Sequence, residues 1–144
     1  MFSGTGSAHA NPVFDCGGAK IRARSRHCAT VVAVSGTISA ANLSRLADHV
    51  TRFVLPDTPF VLDLSAVASA SADALALLEA VDTRCTAEQV QWALIGSRAL
   101  TALPGVGEDA AFPVVGSVSE ALYYFDEATQ RRRALLLPLL KKTA

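Results

Sequence analysis

Phe60-Val61-Leu62-Asp63-Leu64-Ser65-Ala66-Val67, running on into Ala68-Ser69-Ala70-Ser71-Ala72-Asp73-Ala74-Leu75-Ala76-Leu77-Leu78, is the passage whose reading decides the fold. Residues 60–65 are apolar almost without interruption, Asp63 apart, which is the pattern of a strand covered on both faces. The small polar run after them feeds a helix over roughly residues 72–85, whose spacing turns Leu75, Leu78 and Val81 toward a core. A strand that turns into a helix N-terminus presents backbone N–H groups and short polar side chains at the end of a sheet. Such a corner suits an anion or a docking protein better than covalent chemistry.

Upstream, residues 28–38 are β-branched and apolar (Thr30, Val31, Val32, Val34, Ile38), with Gly36 near the end, and predict a central strand that buries Cys28. Residues 19–27 alternate, Ile21, Ala23 and Ser25 opposing Lys20, Arg22, Arg24 and Arg26. That period predicts a half-exposed edge strand whose cations guard against unwanted pairing, joined to the next strand by a hairpin near Arg26-His27. Residues 1–18, small and polar and ending in Gly17-Gly18, read as a flexible arm. After the central strand, Ser39 is the expected N-cap of a helix from Ala40. Leu43, Leu46, Val50 and Phe53 turn inward in it, and Asn42, Arg45, Asp48, His49 and Arg52 face water. Pro56 stops that helix.

Downstream, residues 89–95 predict a strand closed by Gly96. Ser97 caps a short helix holding Leu100 and Leu103, which Pro104-Gly105 ends. Residues 112–115 form a last short strand. Ser117 and Glu120 make a capping box for a helix that turns Leu122 and Phe125 inward. The order predicts an α/β fold: one mixed, mostly parallel sheet of about five strands, covered by about four helices lying mostly on one side. The domain spans residues 19–127, followed by a basic, leucine-rich extension over 128–144. Arg131-Arg132-Arg133 and the leucines around Pro138 leave several uses open for that extension: packing on the domain, self-association with a second copy, or contact with a partner or an anionic membrane surface. Pro138 is expected to break the helix there.

Composition narrows the function. The 144 residues fit one core, 51% of them are hydrophobic, and 13 basic residues balance 13 acidic ones, so no overall field draws nucleic acid. Residues 1–11 lack the basic and apolar regions of a signal peptide, and no long apolar run forms a transmembrane segment, which predicts a cytoplasmic protein. Cys16, Cys28 and Cys85 are odd in number and widely spaced, as for reduced thiols rather than a disulfide or metal framework. His9, His27 and His49 follow no nucleophile elbow, Gly105-Val106-Gly107 lies in the wrong context for a phosphate loop, and no ligand cluster is visible. The expectation is a binding protein, not an enzyme, with no metal and no cofactor.

The order of elements, with Val32-Ala33-Val34-Ser35-Gly36-Thr37-Ile38-Ser39-Ala40-Ala41-Asn42 and Leu62-Asp63-Leu64-Ser65-Ala66-Val67, resembles the STAS domain, the module of bacterial anti-sigma factor antagonists that is also attached to sulfate transporters. The likeness spans about residues 20–127 and omits both tails. In that family the second helix opens with Asp-Ser-Ser-Gly-Leu or Asp-Ser-Thr-Gly-Leu, and a serine there is phosphorylated by a partner kinase that is itself the anti-sigma factor. An ungapped alignment from Leu62 to Leu75 sets Ser71 at the family's Asp, Ala72 and Asp73 at its two hydroxyl positions, and Ala74 at its Gly. Thr37 and Ser39 stand where the family often has acidic residues.

The resemblance thus implies partner binding through a rim made of residues 36–42, with Gly36, Ser39 and Asn42, of residues 69–74, with Ser69, Ser71 and Asp73, and of the exposed face of the second helix. The implied partner is an anti-sigma factor and serine kinase of the GHKL type, whose capture releases a sigma factor. Ser71 and Ser69 are the remaining candidates for phosphorylation, and either is equally suited to cap the helix. Asp73 either complements the helix dipole or supplies a constant charge where relatives add phosphate. Asp63 is expected near the exit of its strand, accepting hydrogen bonds from loop amides. The alternative function is a STAS-like scaffold, or a nucleotide- or lipid-binding module with no sigma-factor role.

Overall fold

The computed structural model describes residues 13–103 and 112–143. Six strands stand in one sheet in chain order: β1 (Val13–Asp15), β2 (Ala19–Arg26), β3 (Ala29–Ile38), β4 (Phe60–Ala70), β5 (Trp92–Ile95) and β6 (Val114–Val115). The first three pair antiparallel and the rest parallel. Four helices lie among the described residues: α1 (Leu43–Thr51), α2 (Ala74–Glu88), α3 (Arg98–Thr101) and α4 (Val118–Thr143). The mixed, mostly parallel α/β sheet read from the sequence is present, with one strand more than expected.

The extra strand is β1, at the end of the stretch read as a flexible arm. Phe14 pairs with Ile21 and stacks on His49 of α1, ring centroids 5.4 Å apart. Cys16 is fully buried just after it. Residues 1–12 of that arm, and the Pro104-Gly105 stop, lie outside the described residues. Because β1 flanks Lys20–Arg22, β2 is an interior strand there rather than the expected edge. The hairpin turn is made by His27 and Cys28, both left-handed (φ 49° and 67°), so Cys28 is exposed and not in a strand.

Two cores sandwich the sheet. On one face Leu46 and Val50 of α1, Leu77, Leu78 and Val81 of α2, and Leu100 of α3 meet Ile21, Val32, Val34, Phe60, Leu62 and Leu64. On the other face α4 lays Val118, Ala121 and Phe125 over Val31, Val61, Ala93 and Ile95. Three helices on one side and one on the other agree with the expected imbalance. Leu78 and Val81 face the core as read and Ala74, Leu77 and Cys85 join them, while Leu75, at the edge of that face, is only half-buried. Burial pushes the Cys85 thiol up to about 12, the nearby Asp82 charge adding to it, and burial likewise raises Cys16.

Ser97 caps α3 as expected, its Oγ accepting from the Leu100 amide at 3.4 Å. The box before α4 also forms, with a shift. Ser117 Oγ accepts from Glu120 N at 3.1 Å, while Glu120 reaches the amide of Gly116 at 2.8 Å. α4 runs through Pro138 rather than breaking there, carried by strong helix formers on both sides.

Candidate docking site

β4 is five residues longer than the strand read from the sequence, and that length builds the site. It holds two bulges, one between the pairs Ala33↔Asp63 and Ser35↔Ala66, the other between Gly36↔Val67 and Thr37↔Ser69. Each adds a residue to β4 against β3 and bends the strand. Asp63 serves the first bulge. Its Oδ1 accepts from Ser65 N at 3.0 Å and Ser65 Oγ at 2.6 Å, satisfying an amide that the irregular ladder leaves over. Asp63 therefore acts within the strand and not at its exit.

At the far end of β3 and β4, three segments close on one another. The Gly17-Gly18 turn lies against Gly36, whose φ of +95° and approach to the Gly18 carbonyl oxygen leave no room for a Cβ. Thr37 N donates to that carbonyl at 2.9 Å, and Ser71 N donates to Ile38 O at 3.0 Å. Asn42 binds all of this from beneath. Its Nδ2 donates to Gly17 O at 2.9 Å and Thr37 O at 2.8 Å, and its Oδ1 accepts from Ser39 N at 3.0 Å.

Asn42 is 2% exposed, so the expectation that it faces water is overturned. It precedes α1, which begins three residues later than the reading from Ala40. Ser39 does not cap α1 with its side chain; its carbonyl accepts from Asn42 N and Leu43 N instead. Asn42 therefore shapes the rim without being presented on it, while Gly36 and Ser39 are half-buried.

The corner before α2 is what the rim displays. Ser69 is exposed in β4 and Ser71 half-buried just past it, so neither occupies the helix N-cap. That position belongs to Asp73, which makes no side-chain hydrogen bond to the helix amides. Ser71 Oγ donates to Asp73 Oδ2 at 3.0 Å. Asp73 is exposed and belongs to none of the ion pairs among the described residues. One turn further, Ala76 and Ala80 of α2 floor an open groove of about 500 Å³ that Thr51, Glu79, Thr83 and Arg84 border. The arrangement offers a fixed negative charge and a hydroxyl above a shallow apolar strip.

Gly17 and Gly18, which hold the rim from the other side, were missed. The only signal for them is the Gly-Gly pair itself, which a loop explains equally well.

The model of the STAS domain matches residues 20–102, and this chain belongs to the STAS domain family. Osmosensory protein A of Mycobacterium tuberculosis is 43% identical over 139 residues, covering 93% of this chain and 88% of that protein. Among solved structures, an anti-sigma factor antagonist from Mycobacterium paratuberculosis superposes with a TM-score of 0.62 at 24% identity, over 74% of this chain and 92% of that one, a likeness of fold. No helix among the described residues is long and apolar enough to cross a membrane.

Proposed function

We propose that this protein is a regulatory docking module that binds an anti-sigma factor of the GHKL kinase type and so releases a sigma factor. The observation that carries the reading is the exposed Asp73 carboxylate beside Ser71 Oγ, at the N-terminus of α2 and unpaired by any cation of the described chain. The helix dipole holds a carboxylate there, typically by about 0.3–1 kcal/mol. A phosphate brings about −1.5 to −2 charge and three acceptors, so Asp73 imitates it only in part. On this reading the protein does not cycle: its charge is permanent and its binding state fixed. The name of the 43% identical relative, an osmosensory protein, supports osmotic change as the signal.

The test is capture on immobilised full-length protein from lysates of the source cells, with and without ATP. The expected result is recovery of the anti-sigma kinase in both conditions, loss of recovery with Asp73→Lys, and no phosphate on Ser69 or Ser71. Phosphate on Ser71 overturns the fixed-state reading, and failure to recover any such kinase overturns the partner.

A further inference from the structure

Lys20 and Arg22 of β2 are left without the edge-guarding task that the sequence suggested for them. Lys20, Arg22 and Arg24 point away from the main core and are exposed, yet β1 and β3 flank Lys20 and Arg22 on both sides, so those two do not protect an edge, and Arg24 continues their row past the end of β1. None of the three takes part in an ion pair among the described residues. Residues 1–12, next along the chain from β1, contain no Asp or Glu to neutralise them. Two carboxylates share the face, and both are turned to local donors: Asp15 accepts from Gly17 N at 3.2 Å and Asp63 from Ser65.

Among the described residues, none covers the face beside this row. α4 covers Val31, Val61, Ala93 and Ile95 but not the half-sheet next to them. There Ala33, Ser35 and Ala66 floor a groove of about 280 Å³, with the half-exposed Val13, Lys20 and Arg22 as its wall. Four strands at about 4.8 Å spacing give a face roughly 14 Å across, the width of one helix at about 10–12 Å. Small residues keep the floor flat. Successive outward positions on a strand stand about 7 Å apart, close to the roughly 6 Å between helix residues four apart, so carboxylates at that helical spacing match the cation row.

We infer that this open half of the sheet is a second docking surface, separate from the Ser71–Asp73 rim, and that its occupant is an acidic amphipathic helix of another protein. Such a helix lies beside α4, its apolar side on Ala33 and Ala66 and its carboxylates on Lys20, Arg22 and Arg24. A second copy of this chain fits poorly as occupant, because its projecting helix brings Arg131, Arg132 and Arg133 onto a cationic face.

The probe is a synthetic helical peptide of about 20 residues, long enough to hold a helix, with Leu and Ala on one side and Glu on the other. It is titrated into the ¹⁵N-labelled full-length protein at low salt. The expected result is perturbation of the amides of Val13, Arg22, Ala33, Ser35 and Ala66, with those of Ser71 and Asp73 unmoved. The triple substitution Lys20→Gln, Arg22→Gln, Arg24→Gln is expected to weaken binding by about tenfold or more, as is raised salt. Ala66→Phe, which fills the floor and leaves every charge in place, is expected to weaken it as well. All three altered side chains of the triple variant are solvent-exposed, and an unchanged circular dichroism spectrum verifies its fold. Perturbations centred on Arg131–Arg133, or equal binding by the triple variant, overturn the proposal. Tighter binding to phosphatidylglycerol vesicles than to the peptide overturns the protein nature of the occupant.

Discussion

Asn42 joins the rim from below with three hydrogen bonds to Gly17, Thr37 and Ser39, in a place where water does not replace them. Asn42→Leu leaves two carbonyls and an amide unsatisfied and is expected to destabilise the fold by about 2–4 kcal/mol, read from the urea midpoint. Gly36→Ala brings a Cβ against the Gly18 carbonyl at a positive φ, and a loss above about 1 kcal/mol is expected in the same assay. Cys85 supplies a pH signature. Burial pushes its pKa up to about 12 from a thiol's ordinary 9.0, so the protonated thiol suits the core and the thiolate does not. Stability is therefore full below pH 9 and falls as pH rises toward 12. Cys85→Val is expected to remove that part of the fall, measured as the difference between the two denaturation midpoints across the window.

Among the elements, α4 separates most cleanly into a part that holds the fold and a part that does not. Val118, Ala121 and Phe125 pack on the sheet, whereas residues 130–136 are exposed, Leu135 at 75%. The i,i+4 contacts of Glu127 with Arg131 and of Asp126 with Gln130 support the overhang. Phe125→Ala is expected to cost about 3–4 kcal/mol by leaving a cavity. A chain ending at residue 130 is expected to melt within a few degrees of the full protein, by calorimetry. The long strands and amphipathic helices were legible in the sequence because periodicity over eight or more residues reports which side meets a core. β1 was not, since three residues carry no period and the strand shows itself through long-range contacts, its pairing with β2 and the stacking of Phe14 on His49. The end of β4 was hidden by its bulges, which break the alternation beyond Asp63 and make a strand look like a loop. Asn42 and Cys28 were misplaced for a shared reason. Local pattern assigns a side chain to water or core, but Asn42 is buried by a turn 25 residues away and Cys28 is turned out by a tight hairpin.

At the scale of the whole molecule, one layer of helices and a single crossing helix leave two surfaces that packing among the described residues does not consume. One is the rim, where β3 and β4 end together and a hydrogen-bonded frame holds Ser71 and Asp73 in place. The other is the open half of the sheet beside α4. Their charges are opposite, and they occupy different sides of the fold. The rim is the better framed of the two, and the regulatory reading depends on its charge. The most direct measurement is the affinity of the proposed partner, a purified anti-sigma kinase, for the native protein and for Asp73→Asn, by titration calorimetry at one salt concentration. A change of about tenfold or more, corresponding to about 1.4 kcal/mol, is expected when the carboxylate is neutralised. Equal affinities for the two proteins would contradict the account.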